Sequence, residues 1–132
     1  MILSIDHGTK YIGLAIADEK IRIAHPRGFL LNKNYEYVLA EIKNIITEQK
    51  ISLIVVGQPL GLSGQATEQT KLANKFIEQL RNDLNLPVDI FNETMTTKMA
   101  GQVGGKKENS SGHDAAAAII LQDYLDRLGN KN

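Results

Sequence analysis

Three carboxylates, Asp6, Glu93 and Asp114, are the residues of this chain best placed to do chemistry together. Asp6 closes an apolar run, Met1 to Ile5, just before the tight connection His7-Gly8-Thr9-Lys10. Glu93 follows the apolar run that ends at Phe91, and Asp114 opens a helical pattern. Carboxylates from separate elements supply the oxygen ligands that Mg²⁺ or Mn²⁺ prefers. Two such ions roughly 3.5–4 Å apart clamp the attacking and leaving oxygens of a phosphodiester. Each acid also has a purely structural reading. Asp6 suits a turn, Glu93 a surface or first-turn position, and Asp114 a helix start, where it would cap free N–H groups and complement the dipole. The four alanines after Asp114 favour close packing of that helix on a sheet, which would bring Asp114 near the strand ends.

The elements that must position these acids can be read from periodicity. In Tyr11 to Ala17, Ile12, Leu14 and Ile16 alternate with Tyr11, Gly13, Ala15 and Ala17, the period of a strand with one bulky and one mostly small face. With Met1–Ile5 it forms a hairpin, and Asp6 leaves the sheet at the turn. Ile21 to Leu31 offers a third strand, which Pro26 assigns to an edge or a break. Asn34 to Lys50 is a helix with Val38, Leu39, Ile42, Ile45 and Ile46 on one face. Ile51 to Val56 fits a buried parallel strand, and Gly57 to Gly64 a loop. A second helix turns Ala73, Phe76, Ile77, Leu80 and Leu84 inward, Pro87 to Phe91 is the fifth strand, and the last helix runs from about Asp114 to Leu128. Residues 95–100 suit a helical turn or two, and the polar, glycine-rich residues 101–112 a loop. The order β-β-β-α-β-α-β-α predicts an α/β fold. Its mixed five-stranded sheet has a three-strand antiparallel meander, then parallel strands, with helices on both faces. In such sheets ligands gather at the carboxyl ends of parallel strands. Asp6, Gly57 and Glu93 each follow an apolar strand run, so all three should meet there.

Composition bounds the function. The 132 residues fit one domain, 1–132. Apolar residues are 42% and aromatics only 5%, so Ile, Leu, Val and Ala must build the core. No run approaches the ~18 apolar residues of a membrane span. Met1 opens directly on a strand-like segment, so no signal peptide and a cytoplasmic location are expected. The absence of cysteine excludes disulfides, cysteine nucleophiles and Cys-ligated zinc. Fifteen basic and fifteen acidic residues leave zero net charge, without the basic excess usual in nucleic-acid binders. The cations are unevenly spread, however: Lys98, Lys106 and Lys107 fall within ten positions.

Substrate contacts are expected from Gly8, Thr9 and Lys10 at the hairpin, from Thr96, Thr97 and Lys98, and from Lys106 and Lys107. The Gly57–Gly64 loop could cradle a phosphate on backbone N–H groups. It lacks the Gly-Lys-Ser/Thr ending of a nucleotide-binding loop. His113, beside Asp114, is a further candidate ligand or general acid, ahead of His7 and His25.

Four segments in order resemble the YqgF/RuvX family, small proteins of the ribonuclease-H-like fold. They are Asp6-His7-Gly8-Thr9-Lys10 with Ile12-Gly13; Val55-Val56-Gly57-Gln58-Pro59-Leu60 with Gly64; Asn92-Glu93-Thr94-Met95-Thr96-Thr97 with Ala100; and His113-Asp114-Ala115-Ala116-Ala117 with Ile120-Leu121-Gln122. The resemblance runs from Met1 to about Leu128. It implies a metal-dependent nuclease in which Asp6, Glu93 and Asp114 match the metal-binding acids. Two activities attach to the family, resolution of Holliday junctions and maturation of the 5′ end of the 16S rRNA precursor. The family's third segment usually reads Asp-Glu-Arg, whereas this chain has Asn92-Glu93-Thr94. The acid is kept, but a phosphate-binding arginine, able to bond bidentately, is replaced by a hydroxyl.

The leading expectation is therefore a Mg²⁺- or Mn²⁺-dependent phosphodiester hydrolase acting on structured RNA, as a monomer or weak homodimer with no membrane attachment. Its alternatives are cleavage of branched DNA, which would favour a dimer, and a non-catalytic module that holds nucleic acid or a partner. The Asp6-x-Gly8-Thr9 hairpin also resembles the first phosphate motif of actin-like ATPases and sugar kinases. Those bind nucleotide between two such domains, and this chain supplies one.

Overall fold

The computed structural model describes residues 1–94 and 111–130. Its elements in chain order are β1 (Ile2–Asp6), β2 (Tyr11–Ala17), β3 (His25–Leu31), α1 (Tyr35–Gln49), β4 (Leu53–Leu60), α2 (Glu68–Asp83), β5 (Val88–Thr94) and α3 (Ser111–Asn130). The sheet order is β3-β2-β1-β4-β5. β1 pairs antiparallel with β2, and β2 with β3; β4 lies parallel to both β1 and β5. This is the expected meander followed by parallel strands. The expected substrate contacts Thr96, Thr97, Lys98, Lys106 and Lys107 and the turn expected at 95–100 fall outside the described residues, as does all but the end of the glycine-rich segment 101–112.

Alternation divides the sheet into two unlike faces. Leu3, Ile5, Ile12, Leu14, Ile54, Val56 and Val88 meet Val38, Ile42 and Ile45 of α1 and Phe76, Ile77 and Leu80 of α2 in a bulky core. Ile2, Ala15, Ala17, Val55 and Phe91 line the other face under Ala117, Ile120, Leu121 and Leu125 of α3. The small residues of β2 leave room for α3 to sit close. A buried hydrogen bond, from Ser4 Oγ to the Ala117 carbonyl at 2.8 Å, ties α3 to β1.

Local chemistry sets the element ends. The Asn34 side chain accepts from Tyr37 N at 2.8 Å and starts α1, and Lys50, at φ 55°, ends it. Thr67 and Thr70 cap α2 reciprocally, and the Thr70 hydroxyl also donates to the Pro59 carbonyl. The third strand starts at His25 rather than Ile21, because Asp18 organises a turn first. Its carboxylate accepts from Lys20 N and Ile21 N, its carbonyl from Arg22 N, and Arg22 sits at φ 62°. Pro26 does lie on an edge strand.

Three other boundaries move. Gly57 does not end β4: residues 57–60 continue the strand beside Phe91–Thr94 of β5. The fifth strand likewise runs past Phe91, so Glu93 stands inside it. The last helix starts at Ser111 rather than near Asp114, which puts His113 in its first turn rather than in a loop and keeps Asp114 there too. No helix among the described residues is long and apolar enough to cross a membrane.

Candidate active site

Asp6 and Glu93 are buried carboxylates, 5% and 4% exposed. Burying a carboxylate is costly unless its surroundings compensate it, so their position requires a reason. Both lie on the α3 face. Asp6 follows Ile2 and Ser4 in the two-residue alternation of β1, and Glu93 follows Phe91 in β5. Glycines flank Asp6 on both sides. Gly13 is its partner in β2, and Gly57 lies beside it in β4, one residue beyond the Ile5–Val56 pair.

These glycines hold space that a side chain would take. A Cβ at Gly57 would stand 2.9 Å from Glu93 Oε1 and 2.7 Å from Ile120 Cδ1. The Glu93 carboxylate therefore lies over Gly57, the neighbour of Asp6. A Cβ at Gly13 would stand 2.0 Å from the His113 carbonyl oxygen and 3.1 Å from Asp114 N. The first turn of α3 thus rests on β2 beside Asp6, and its backbone brings Asp114 to the same end and face of the sheet.

The Asp114 side chain, however, turns toward β3. Its Oδ2 accepts from Gly28 N at 3.0 Å. Gly28 is available because the β2–β3 register shifts between Gly13 and Ala15, placing an extra residue in β3, and Gly28 takes φ +82° at that bulge. All three predicted acids thus reach one corner of the fold, Asp6 and Glu93 about one glycine and Asp114 held to the side. Among the described residues no three His, Asp or Glu side chains gather closely enough to hold a metal ion. The donor set is all oxygen and suits Mg²⁺ or Mn²⁺. Asp6 and Glu93 are the acids that would hold a divalent ion, and Asp114, whose Oδ2 accepts from Gly28 N, would add a third oxygen ligand only on moving closer.

The remaining candidates separate. Thr9 and Lys10 are exposed at the hairpin, and the Gly8 carbonyl accepts from Asn32 Nδ2 at 2.9 Å. His7 points to the opposite face, with its ring 4.6 Å from that of Phe76. There it lines a cavity of about 320 Å³ with Thr9, Asn32, Tyr35, Lys75 and Phe76, away from the acids. His25 is exposed in β3. His113 stacks on Tyr11, with ring centres 4.7 Å apart. The expected phosphate cradle at 57–64 is not available as read: its first four residues are strand, Gly61 N and Gly64 N bond within the turn, and Ser63 N bonds Gln65 Oε1. Sequence reasoning missed Ser4 and Gly28. The period of β1 puts Ser4 on Asp6's face, whereas nothing local announces a bond from Gly28 to a residue 86 positions away.

A five-stranded sheet of this order, with α3 packed across its first strands and carboxylates at the ends of β1 and β5, is a ribonuclease-H-like domain. The fold is that of Thermus thermophilus RuvC, with a TM-score of 0.58 at 15% identity over 97% of this chain and 96% of that one. Fowlpox virus resolvase, solved with Holliday junction DNA, shares it at 0.52 and 10% identity over 96% and 97%. The chain belongs to the RuvX family, described as Holliday junction resolvase, which residues 1–127 match. A relative from Rickettsia africae, named "Putative pre-16S rRNA nuclease", is 33% identical over 135 residues, covering 98% of this chain and 88% of its own. One of the same name from Rickettsia typhi is 31% identical over 137 residues, covering 99% and 88%. The family is one of nucleases, hydrolases of phosphodiester bonds.

Proposed function

We propose that this protein is a metal-dependent cytoplasmic nuclease that matures the 5′ end of the 16S rRNA precursor, the whole chain forming one domain. The observation that carries the reading is the pair of buried carboxylates, Asp6 and Glu93, on the two sides of Gly57. Asp6 and Glu93 would hold Mg²⁺ or Mn²⁺, with Asp114 as the third acid at that corner. When bound, the ion neutralises charge at the scissile phosphate and lowers the pKa of attacking water. The residues themselves position the phosphate at the sheet end. Gly57 and Gly13 let Glu93 and the first turn of α3 close onto the sheet beside Asp6, and Gly8, Thr9 and Lys10 meet the substrate backbone at the rim. The same reading assigns Thr96, Thr97, Lys98, Lys106 and Lys107 to the substrate backbone. The enzyme acts as a monomer or weak homodimer.

Branched DNA is the second reading, favoured by the family's description and by the junction bound to its structural neighbour. One experiment separates them. Purified protein is given Mn²⁺ with a 16S precursor carrying its 5′ extension, or with a four-way DNA junction, and Asp6→Asn and Glu93→Gln serve as controls. Cleavage of the precursor by the wild type alone supports RNA maturation, and cleavage of the junction alone supports resolution. Undiminished cleavage by both folded variants would refute the assigned site.

A further inference from the structure

We propose that the edge strand β3 is the track for a single-stranded stretch of the nucleic-acid substrate, with the exposed Phe29 ring, braced edge to face by Tyr11, as a stacking platform for one unpaired base. This rests on the nuclease reading above. It adds where the substrate lies and which residues hold it.

Phe29 and Leu31 are 38% and 41% exposed on a strand whose outer edge has no sheet partner among the described residues. The Phe29 and Tyr11 rings meet edge to face at 5.3 Å, and Tyr11 in turn stacks on His113, beside Asp114. Phe29 directly follows Gly28, whose N–H holds the Asp114 carboxylate. A base on Phe29 would therefore sit next to the acidic corner.

Charge selects the occupant. Residues 20–35 carry Lys20, Arg22, Arg27 and Lys33 and no carboxylate, in a chain of zero net charge. Lys10 Nζ adds a cation 5.5 Å from the Tyr11 ring. The Arg27–Glu48 pair is a 3.7 Å surface contact, which salt and solvent screen. Exposed aromatic rings near cationic side chains are one way in which proteins hold single strands without reading sequence. A second copy of the chain is the competing occupant, since an open edge invites strand pairing. Pro26 lacks an N–H, the bulge at Gly28 breaks the edge, and pairing two copies would bring like charges together. A polyanion fits this edge and a copy of itself does not.

The test uses the full chain carrying Asp6→Asn, so that RNA is not cut, and a 12-nucleotide single-stranded RNA containing one 2-aminopurine. Fluorescence follows stacking, titration gives affinity, and sedimentation gives oligomeric state. Phe29→Ala is expected to abolish quenching and weaken binding about tenfold, and Phe29→Trp to restore both. Leu72→Ala, equally exposed on α2, is expected to leave both unchanged. Circular dichroism checks that each variant folds. Unchanged affinity and quenching in Phe29→Ala would overturn the platform while leaving the nuclease reading intact. A dimer that Phe29→Ala dissociates without affecting RNA binding would assign the edge to a second copy and overturn it too. Absence of both RNA binding and wild-type cleavage of any nucleic acid would remove the nuclease reading and the platform together.

Discussion

Replacing Gly13 by alanine tests the packing that brings α3 to the acids. The added Cβ would stand 2.0 Å from the His113 carbonyl oxygen, against an ordinary contact of at least 3.4 Å. The gap must widen by about 1.4 Å. The obstacle is backbone, so no rotamer change relieves it. The first turn of α3 must lift, which strains the Tyr11–His113 stack and the Gly28–Asp114 hydrogen bond. Overpacking of this kind costs about 1–3 kcal/mol. A lost hydrogen bond to a carboxylate adds about 1 kcal/mol at this half-exposed position. Alanine's smaller loss of backbone entropy returns roughly 0.5–1 kcal/mol. The net expectation is a destabilisation of about 2 kcal/mol, or roughly 6–10 °C in Tm for a chain of this size. Gly112, in the same first turn, is the internal control. Among the described residues a Cβ there meets nothing within 4 Å, so Gly112→Ala should be neutral or stabilise by up to about 0.5 kcal/mol at this first-turn position, less than in a helix interior. Urea denaturation followed by circular dichroism measures both, and cleavage by Gly13→Ala should fall further than stability alone accounts for. If Gly13→Ala were within about 0.5 kcal/mol of wild type, α3 would not be seated as described, and the placement of Asp114 would fall with it.

Other outcomes follow from the same contacts. Asp6→Asn and Glu93→Gln should each abolish cleavage while the thermal transition stays cooperative; a folded variant that still cuts would remove that acid from the site. Ser4→Ala deletes the 2.8 Å hydrogen bond to Ala117 O and should cost about 1 kcal/mol in denaturant titration; no loss would mean that apolar packing alone holds α3. Thr67→Ala should cost about 1 kcal/mol by removing one partner of the α2 capping box, with Thr67→Ser restoring most of it. Glu19 is held at a pKa of about 2, down from 4.5, first by the Ser52 hydroxyl and then by the N-terminal ammonium. A depressed folded-state value stabilises above pH 4.5, and that contribution disappears as pH falls toward 2. Tm should therefore drop across that window, and Glu19→Gln should flatten the drop; parallel curves would exclude the linkage.

Much of this fold was legible because its signals are local. The alternation in Tyr11–Ala17 stated both that it is a strand and that one face is small, and α3 does sit on that face. Pro26 announced an edge. The misread boundaries share one cause, since Gly57 and Pro59 look like breakers in isolation. They remain strand because β5 continues beside them to Thr94 and supplies ladder partners that no window along β4 can foresee. The start of β3 was misread in the opposite sense: Ile21 and Ile23 look like strand, but the hydrogen bonds of Asp18 claim the backbone first.

The site shows the same division, and it bears on how the acids work. Their order along the chain was enough to bring Asp6, Glu93 and Asp114 to one end of one face. What it could not convey is that the three are not equivalent. Asp6 and Glu93 are fixed within strands and buried on the two sides of Gly57, where a side chain would collide with both Glu93 and Ile120. Asp114 rides on a helix start and gives its carboxylate to an edge-strand amide freed by a bulge. Two acids stand on strands of the sheet, and the third is hydrogen-bonded to the edge strand. If Asp114 also ligates the ion, its bond to Gly28 would link the proposed substrate strand β3 to the metal-binding acids. Coupling of this kind is reciprocal. RNA bound at Phe29 should tighten Mn²⁺ binding by the same factor that Mn²⁺ tightens RNA, and Asp114→Asn should remove that factor from both titrations. Equal coupling in the wild type and in Asp114→Asn would show that the bond to Gly28 is merely structural.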